Sequence, residues 1–232
     1  MRAERAVIAA LAAWCAPAAA PVLPQMARLI GVPTRLDVAR GVALTFDDGP
    51  HREGTPAVLE QLARAGVEAT FFLVGEQVER LPALAAEIAA AGHEVGIHGY
   101  RHTLLLRRTP AALRDDFARA EDVIGAATGS SPNLYRPPYG VFSLPALRLV
   151  RRLGWSPWLW SRWGRDWERA ATPESIAARA TRELSAGDVV LLHDADHYSS
   201  ADSWRRTAAA LPSVLSSVSQ AGQPFVSLSQ SR

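Results

Sequence analysis

The sequence predicts an α/β fold in which mainly parallel strands and helices alternate around a barrel-like sheet. Short apolar segments of strand character alternate along the chain with longer segments of helical period. Repeated strand-then-helix order implies parallel strands joined by right-handed crossovers, as in an α/β barrel or an open doubly wound sheet. The unusual polar residues of the chain also fall at strand ends, which bears on the choice between the two.

Seven segments have the length and composition of strands, and threonine followed by proline marks several helix starts between them. Such starts occur at Thr55, Thr109 and Thr172. The predicted strands are 41–47, 69–75, 94–99, 133–136, 155–161, 188–193 and 224–228.

Five of these strands carry an unusual polar residue at or just past the C-terminal end. In a barrel those ends converge on one mouth, where such folds place their chemistry. An open sheet would gather only the residues beside its switch point. The distribution of these residues over five strands therefore favours a barrel. The residues are Asp47 with Asp48, His98, Arg136, Asp166 and His193.

Composition excludes several function classes. The chain has 232 residues and a net charge of +2, and its 25 basic residues, all arginine, nearly balance 23 acidic ones. No basic run interleaved with aromatic residues is present, so we expect no nucleic-acid partner. The only cysteine, Cys15, precedes the body of the chain, so metal chemistry there has to use histidine and carboxylate.

The first 24 residues resemble an export signal or a short membrane anchor. Arg2 and Arg5 precede an apolar run, and membrane attachment would use residues 6–20. The run is short for a membrane span and contains Pro17. The alternative is an alanine-rich helix packed on the domain, which would leave the protein cytoplasmic rather than facing the cell envelope. We take residues 1–40 as this segment and its lead-in.

The stretch ALTFDDGP, residues 43–50, ends a strand on two adjacent carboxylates. Side chains alternate faces along a strand, so Asp47 and Asp48 point differently unless the chain bends at the Gly49-Pro50 pair. Two acids at one strand end can therefore have two different roles.

The stretch HGYRH places His98 and His102 four residues apart, which in a helical turn puts both imidazoles on one face. Alone, the pair fits two structural histidines equally well. With Asp48 it becomes a set of two histidines and one carboxylate, which leaves a coordination position open for water. That set suits hydrolysis.

Five motifs in order resemble those of the polysaccharide deacetylase family, carbohydrate esterase family four. The resemblance covers residues 41–228, so 41–232 is expected to be a catalytic domain with a distorted (β/α) barrel and its active site at the C-terminal strand ends. It implies a metal-dependent hydrolase that removes N-acetyl groups from chitin- or peptidoglycan-type amino sugars, giving acetate and a free amine. The motifs are ALTFDDGP, HGYRH, RPPYG at 136–140, RDW at 165–167 and LLHD at 191–194.

By this resemblance, Asp48, His98 and His102 hold one divalent ion, with zinc as the default and cobalt, nickel or manganese as alternatives. Asp47 stays free as the general base. Amide hydrolysis needs a Lewis acid to polarise the carbonyl and acidify water. A separate carboxylate then takes the proton, so one aspartate cannot easily do both.

The resemblance assigns the remaining roles. Arg136 pairs with Asp47, and the backbone N–H of Tyr139 helps to stabilise the oxyanion. His193 protonates the departing nitrogen, and Asp166 hydrogen-bonds that imidazole and keeps it protonated.

The expected carbohydrate partner is contacted by a second group of residues. Trp167 and Leu191 line the acetyl pocket, Pro137 stiffens the substrate loop, and Trp163 is the candidate for stacking on a sugar. Trp158 and Trp160 are interpreted as filling the barrel core and wall.

Gly99 departs from the family pattern, which has serine or threonine there, so a hydrogen bond supporting the metal loop is expected to be absent. His51 is interpreted as a loop residue, and His93 and His197 as structural or exposed. Three rival functions stay open: an O-acetyl esterase on xylan-like polymers, a deacylase of a lipid-linked sugar, and an inactive carbohydrate-binding protein. The oligomeric state also stays open.

Overall fold

A computed structural model describes residues 14–231 of the chain. Within that range the strands are β1 (Ala43–Asp47), β2 (Thr70–Leu73), β3 (Glu94–Ile97), β4 (Leu134–Tyr135), β5 (Ser156–Pro157), β6 (Arg162–Trp163) and β7 (Val189–His193). The helices are α1 (Pro24–Leu29), α2 (Gly54–Ala65), α3 (Gly75–Arg80), α4 (Pro82–Ala90), α5 (Pro110–Thr128), α6 (Leu144–Arg152), α7 (Pro173–Ala180) and α8 (Ser203–Gln220).

The seven described strands form one sheet in the order β5-β4-β3-β2-β1-β7-β6, and every pairing is parallel. The expected α/β fold of parallel strands in a distorted barrel is therefore confirmed. Strand β1 lies in the interior of the sheet, between β2 and β7, and is buried along its whole length. Its last residue, Asp47, is level with Phe72 on β2 and His193 on β7, so three strand ends meet beside one carboxylate.

The predicted strand 155–161 is wrong as a single element. The chain pairs β5 with β4 at one edge of the sheet and β6 with β7 at the other. The four residues between them cross from one edge of the curled sheet to the other. The backbone N–H of Trp158 donates to the carbonyl oxygen of Tyr135, and the backbone N–H of Ser161 donates to the carbonyl oxygen of Val189. A strand cannot continue through this crossing because its residues bond to different partners in turn.

The predicted strand 224–228 is also wrong. Among the described residues it contributes one isolated bridge, between Val42 and Phe225, and a 3-10 turn begins at Leu228. The bridge sits just before β1, where the end of the chain reaches the rim of the sheet.

The N-terminal segment packs on the domain where the structure describes it, from Trp14 onward. Trp14 donates its indole N–H to the Leu106 carbonyl, and Ala20 and Ala27 are buried. Residues 1–13, which hold most of the predicted signal or anchor, lie outside the described residues. Across residues 14–231, the structure contains no helix that is both long enough and apolar enough for a membrane crossing.

The N-terminal end of β7 is fixed by the buried carboxylate of Asp188. It forms ion pairs with Arg35 and Arg162. It also accepts the Ser161 hydroxyl at 2.6 Å and the Ser185 N–H at 2.8 Å. Burial would raise the pKa of Asp188, but these hydrogen bonds and the two arginines outweigh it and lower the pKa below its ordinary value.

Candidate active site

Asp47 ends β1 beside a completely buried arginine. Arg136 Nη1 donates to Asp47 Oδ1 at 2.7 Å and to the Thr45 hydroxyl at 2.8 Å. The guanidinium also lies over the Phe72 ring, 4.1 Å from its centroid. A buried charge is tolerated when it is paired and hydrogen-bonded. The Arg136 side chain therefore fixes one oxygen of Asp47 and leaves Oδ2 facing the cleft.

Asp48 turns away from the strand because the chain bends at this residue. Its φ is 80°, in the left-handed region that aspartate tolerates better than most side chains. Asp48 Oδ1 lies 3.4 Å from His98 Nε2 and 3.3 Å from His102 Nε2. Burial would raise the pKa of Asp48, but contact with His98 and the neighbouring imidazoles outweighs it and lowers the pKa to about 2.

Gly49 has a packing reason to be glycine. A Cβ at this position would collide with the carboxylate of Asp194, which follows β7 and is held by the Thr55 hydroxyl. Burial raises the pKa of Asp194 to about 7, with the Thr55 hydrogen bond opposing it. This contact joins the loop after β1 to the loop after β7.

His98 lies just past β3 with its tautomer fixed. Its Nδ1 is 2.8 Å from the carbonyl oxygen of Arg136, so Nδ1 carries the proton and donates it. Nε2 then has a free lone pair directed at Asp48. Metal-binding histidines typically show this arrangement, in which the second ring nitrogen donates to a carbonyl or a carboxylate.

His102 reaches the same point through an irregular loop and not through the expected helical turn. Gly99 has a φ of 87°, and the N–H groups of Tyr100 and Arg101 donate to the Asp116 carboxylate on α5. Asp116 thus supports the loop in a chain that lacks a hydroxyl at position 99. The two imidazole centroids end 5.3 Å apart. Burial lowers the pKa of His102 to about 4, so its neutral, ligating form prevails at neutral pH.

The residues fit a divalent ion. Asp48 Oδ1 is buried and has no hydrogen-bond partner, although buried polar atoms are nearly always paired. Metal-ligand bonds of about 2.0–2.1 Å give tetrahedral edges of about 3.4 Å, which match the two distances from Asp48 to the imidazoles. Asp48, His98 and His102 are thus a cluster that could hold a metal.

His193 lies on the other side of Asp47 and is held by Asp166. His193 Nδ1 is 2.9 Å from Asp166 Oδ1, and its backbone N–H donates to Oδ2 at 2.7 Å. The Thr207 hydroxyl also donates to Oδ2, at 2.8 Å. Burial would lower the pKa of His193, but the charge and hydrogen bond of Asp166 outweigh it and raise the pKa to about 10.

These groups open into one cleft of about 260 Å³. Tryptophans line one wall: Trp163 lies 5.7 Å from Trp160 and 5.4 Å from Trp167, ring centroid to ring centroid. The Trp167 ring meets His193 edge-on at 5.4 Å. Leu191 lies on the cleft floor. Trp160, interpreted from the sequence as wall packing, therefore faces the cleft beside Trp163, whereas Trp158 is buried.

The RPPYG loop forms a 3-10 turn at the rim of the cleft. Tyr139 stands there with a φ of 59° and is 56% exposed. Its N–H lies in the first turn, where amide groups have no partner within the helix. Pro137, expected among the substrate-binding residues, is buried and does not line the cleft; its carbonyl accepts the Gly140 N–H.

Besides Trp160 and Gly140, sequence reasoning missed two cleft residues, Tyr198 and Ser199. Both lie in the loop between β7 and α8. The Tyr198 ring stacks on His102 with centroids 4.1 Å apart and planes at 9°. The run of polar residues after His193 does not show which side chain of this loop turns toward the cleft.

A second cluster, formed by His51, Asp196 and His197, could also hold a metal by proximity. Its hydrogen bonds argue against this. His51 Nδ1 accepts the N–H of Gly54 at 2.9 Å, so the proton of the neutral ring sits on Nε2, which faces Asp196 Oδ1 at 3.2 Å. A ligating imidazole has the opposite arrangement. The cluster instead joins the loops after β1 and β7.

Comparisons with known proteins agree with this geometry. A family model for polysaccharide deacetylase matches residues 37–158. A peptidoglycan-N-acetylglucosamine deacetylase of Bacillus cereus is 32% identical over 191 residues, which cover 82% of this chain and 86% of that protein. A chitooligosaccharide deacetylase of Bradyrhizobium sp. is 37% identical over 156 residues, covering 67% and 71% respectively.

A solved structure of a peptidoglycan N-acetylglucosamine deacetylase superposes with a TM-score of 0.80 at 29% identity. The match covers 85% of this chain and 91% of that one. The family expected from the five motifs is confirmed, and the chain belongs to the polysaccharide deacetylase family.

Proposed function

We propose that the protein is a metal-dependent hydrolase that removes N-acetyl groups from amino-sugar polymers or oligomers of the peptidoglycan or chitin type. One observation carries the proposal: a single cleft combines a three-ligand set, an arginine-paired carboxylate and an aspartate-paired imidazole. A protein that only binds carbohydrate needs no such combination. The named activities of the relatives support the same substrate class.

Asp48, His98 and His102 would hold the divalent ion, which we propose to be zinc. When bound, it supplies a Lewis acid that polarises the acetamido carbonyl and lowers the pKa of water. Neutral His102, ionised Asp48 and a His98 ring with its proton on Nδ1 are the forms that such an ion requires.

Asp47 accepts the proton from the attacking water. Its Oδ1 is tied to Arg136, and its Oδ2 lies 3.8 Å from His98 Nε2, facing the ligand set. The buried guanidinium balances the carboxylate charge and fixes its orientation, so no reorganisation is needed when the proton is taken.

His193 donates a proton to the departing nitrogen. It is level with Asp47 on the neighbouring parallel strand, so the base and the acid flank one position in the cleft. Asp166 holds the imidazole protonated and oriented. The Tyr139 N–H is the proposed donor to the oxyanion, and Trp167 and Leu191 enclose the acetyl methyl group.

Residues 41–232 are the proposed catalytic domain. The substrate class and the apolar run at 6–20 together support action at the cell envelope, after export or while anchored. Trp160 and Trp163 would stack on a sugar ring next to the acetylated one.

The test is acetate release from N-acetylglucosamine oligomers, with acetylated xylan in parallel. The protein is stripped of metal and then reloaded with zinc, cobalt or nickel. Metal-dependent release from the amino sugar supports the proposal. Release from xylan alone would assign an ester hydrolase instead, and a metal-loaded protein that releases acetate from neither would contradict the proposal.

A further inference from the structure

The two imidazoles of the ligand set are held in different ways. His98 is fixed by the hydrogen bond from its Nδ1 to the Arg136 carbonyl. His102 Nδ1 is buried and has no hydrogen-bond partner. A ligating histidine normally gains its orientation from a partner at this second nitrogen. Something other than a hydrogen bond therefore has to orient His102.

Two tyrosine rings enclose the His102 imidazole. Tyr198 lies parallel to one face, with centroids 4.1 Å apart and planes at 9°. Tyr139 meets the ring edge-on, with centroids 4.4 Å apart and planes at 69°. Rotation of the imidazole about its Cβ–Cγ bond would drive it into the parallel phenol. Packing thus restricts one of the two side-chain torsions that aim Nε2 at Asp48.

Tyr198 is itself anchored at its far end. Its hydroxyl accepts from Gln77 Nε2 at 2.9 Å and donates to Glu76 Oε1 at 2.8 Å, both at the start of α3. Gln77 is 3% exposed, so this hydrogen bond to the hydroxyl is shielded from solvent. Burial raises the pKa of the Tyr198 hydroxyl, which keeps it protonated and able to donate. The ring is therefore fixed to α3 on one side while it packs on His102.

We propose that Tyr198 is a positioning residue for His102, in which ring stacking replaces the hydrogen bond that fixes His98. This inference rests on the proposed function, in which His102 is a metal ligand. Tyr198 comes from the loop after β7, whereas His102 comes from the loop after β3. The β7–α8 loop thereby contributes to metal affinity as well as to the wall of the cleft.

The test is the zinc dissociation constant of the full chain, measured by competition with a chromophoric chelator. Tyr198→Ala is expected to bind zinc about 10–100-fold more weakly, as is usual when a partner of a ligand is lost. Tyr198→Phe loses the two hydrogen bonds of the hydroxyl but keeps the stacked ring, so its zinc affinity stays within about fivefold of the unmodified protein, a smaller loss than in Tyr198→Ala. Leu153→Ala, at an exposed apolar residue just after α6 and outside the cleft lining, is the control and leaves the affinity unchanged.

Thermal melting of the metal-free variants checks that each is folded. We expect all of them to fold, because Tyr198 lies in a loop and not in a core strand or helix. Unchanged zinc affinity in Tyr198→Ala overturns the proposal. If the KM is raised while the zinc affinity is unchanged, the Tyr198 ring contacts the substrate instead of positioning His102. Failure of the proposed function looks different: the unmodified protein then binds no zinc, or His102→Ala binds it as tightly as the unmodified protein does.

Discussion

Two buried aspartates, at opposite ends of the neighbouring strands β7 and β1, show how the two ends of the sheet differ. Asp188 precedes β7 at the N-terminal end, and its carboxylate accepts from two arginines, the Ser161 hydroxyl and the Ser185 N–H. Asp48 follows β1 at the C-terminal end, and its Oδ1 has no hydrogen-bond donor. Its neighbours are two imidazole nitrogens.

Both carboxylates are buried, and both have a lowered pKa, but different kinds of group surround them. The protein itself supplies a full set of donors to Asp188. At Asp48 it supplies only further ligands, which leaves room for a cation. A structure that keeps a polar atom unpaired in its interior gives up stability there, as functional sites commonly do.

Replacing Asp48 tests the functional end of this comparison and has the largest expected effect. Asp48→Asn removes one of three ligands, and loss of the Lewis acid costs several kcal/mol of transition-state stabilisation, or about 10⁴-fold or more in kcat/KM. The melting temperature of the metal-free protein is expected to fall as well, because the lowered pKa of Asp48 means that the folded protein favours the charged carboxylate at neutral pH. Activity assays and calorimetry on the same preparation measure both. Retained activity would contradict the ligand assignment.

Replacing Asp47 separates the base from the ligands. Asp47→Asn keeps an oxygen for Arg136 but cannot take a proton, so we expect kcat to fall by roughly 10²–10⁴-fold. Zinc binding should persist, since Asp47 is not in the ligand set. Steady-state kinetics with a parallel zinc titration checks this. Joint loss of zinc and activity would mean that the two aspartates do not divide the work as proposed.

Replacing Asp188 tests whether the N-terminal end of the sheet has a purely structural role. Asp188→Asn leaves Arg35 and Arg162 without a counter-charge, which costs roughly 2–3 kcal/mol, less than for a fully buried pair because Arg35 is partly exposed. Urea unfolding of the metal-free protein measures this loss. Zinc affinity and kcat/KM below the unfolding range are expected to match those of the unmodified protein. A specific loss of zinc binding would contradict the separation of the two ends.

Replacing Asp166 gives a smaller effect, which appears in the pH dependence. The pKa of His193 is raised to about 10 from an ordinary 6.5, so the stabilisation from its charged form is complete below pH 6.5 and is lost as the pH rises toward 10. Asp166→Asn shifts this titration back toward 6.5. Histidine NMR of the metal-free protein follows it directly. Titration of His193 near 6.5 before the mutation would refute the pairing with Asp166.

Much of the fold followed from the sequence because the central strands are fully buried apolar runs. β1 and β7 were located within about two residues of their ends. The crossing at 158–161 was not predicted, because the two-residue spacing of Trp158 and Trp160 fits a strand as well as a crossing segment. Strand period alone does not show when a chain leaves one edge for another.

Some residues of the candidate site could likewise be predicted from the sequence, and others could not. Asp48 and His98 could be singled out because each follows a strand, and parallel strand ends converge. Tyr198 could not, since it lies in an irregular loop whose path depends on contacts with α3. The support of the His102 loop by Asp116 was equally hidden, because that carboxylate comes from a helix 14 residues away from His102 in sequence.

The most direct test of the account is the initial rate of acetate release from N-acetylglucosamine oligomers while zinc is titrated into metal-free protein. The rate is expected to rise from the baseline and to level off at one equivalent of zinc, with Asp48→Asn flat throughout. A rate that does not depend on zinc, or no release at any zinc concentration, would contradict a metal-dependent deacetylase centre in this cleft.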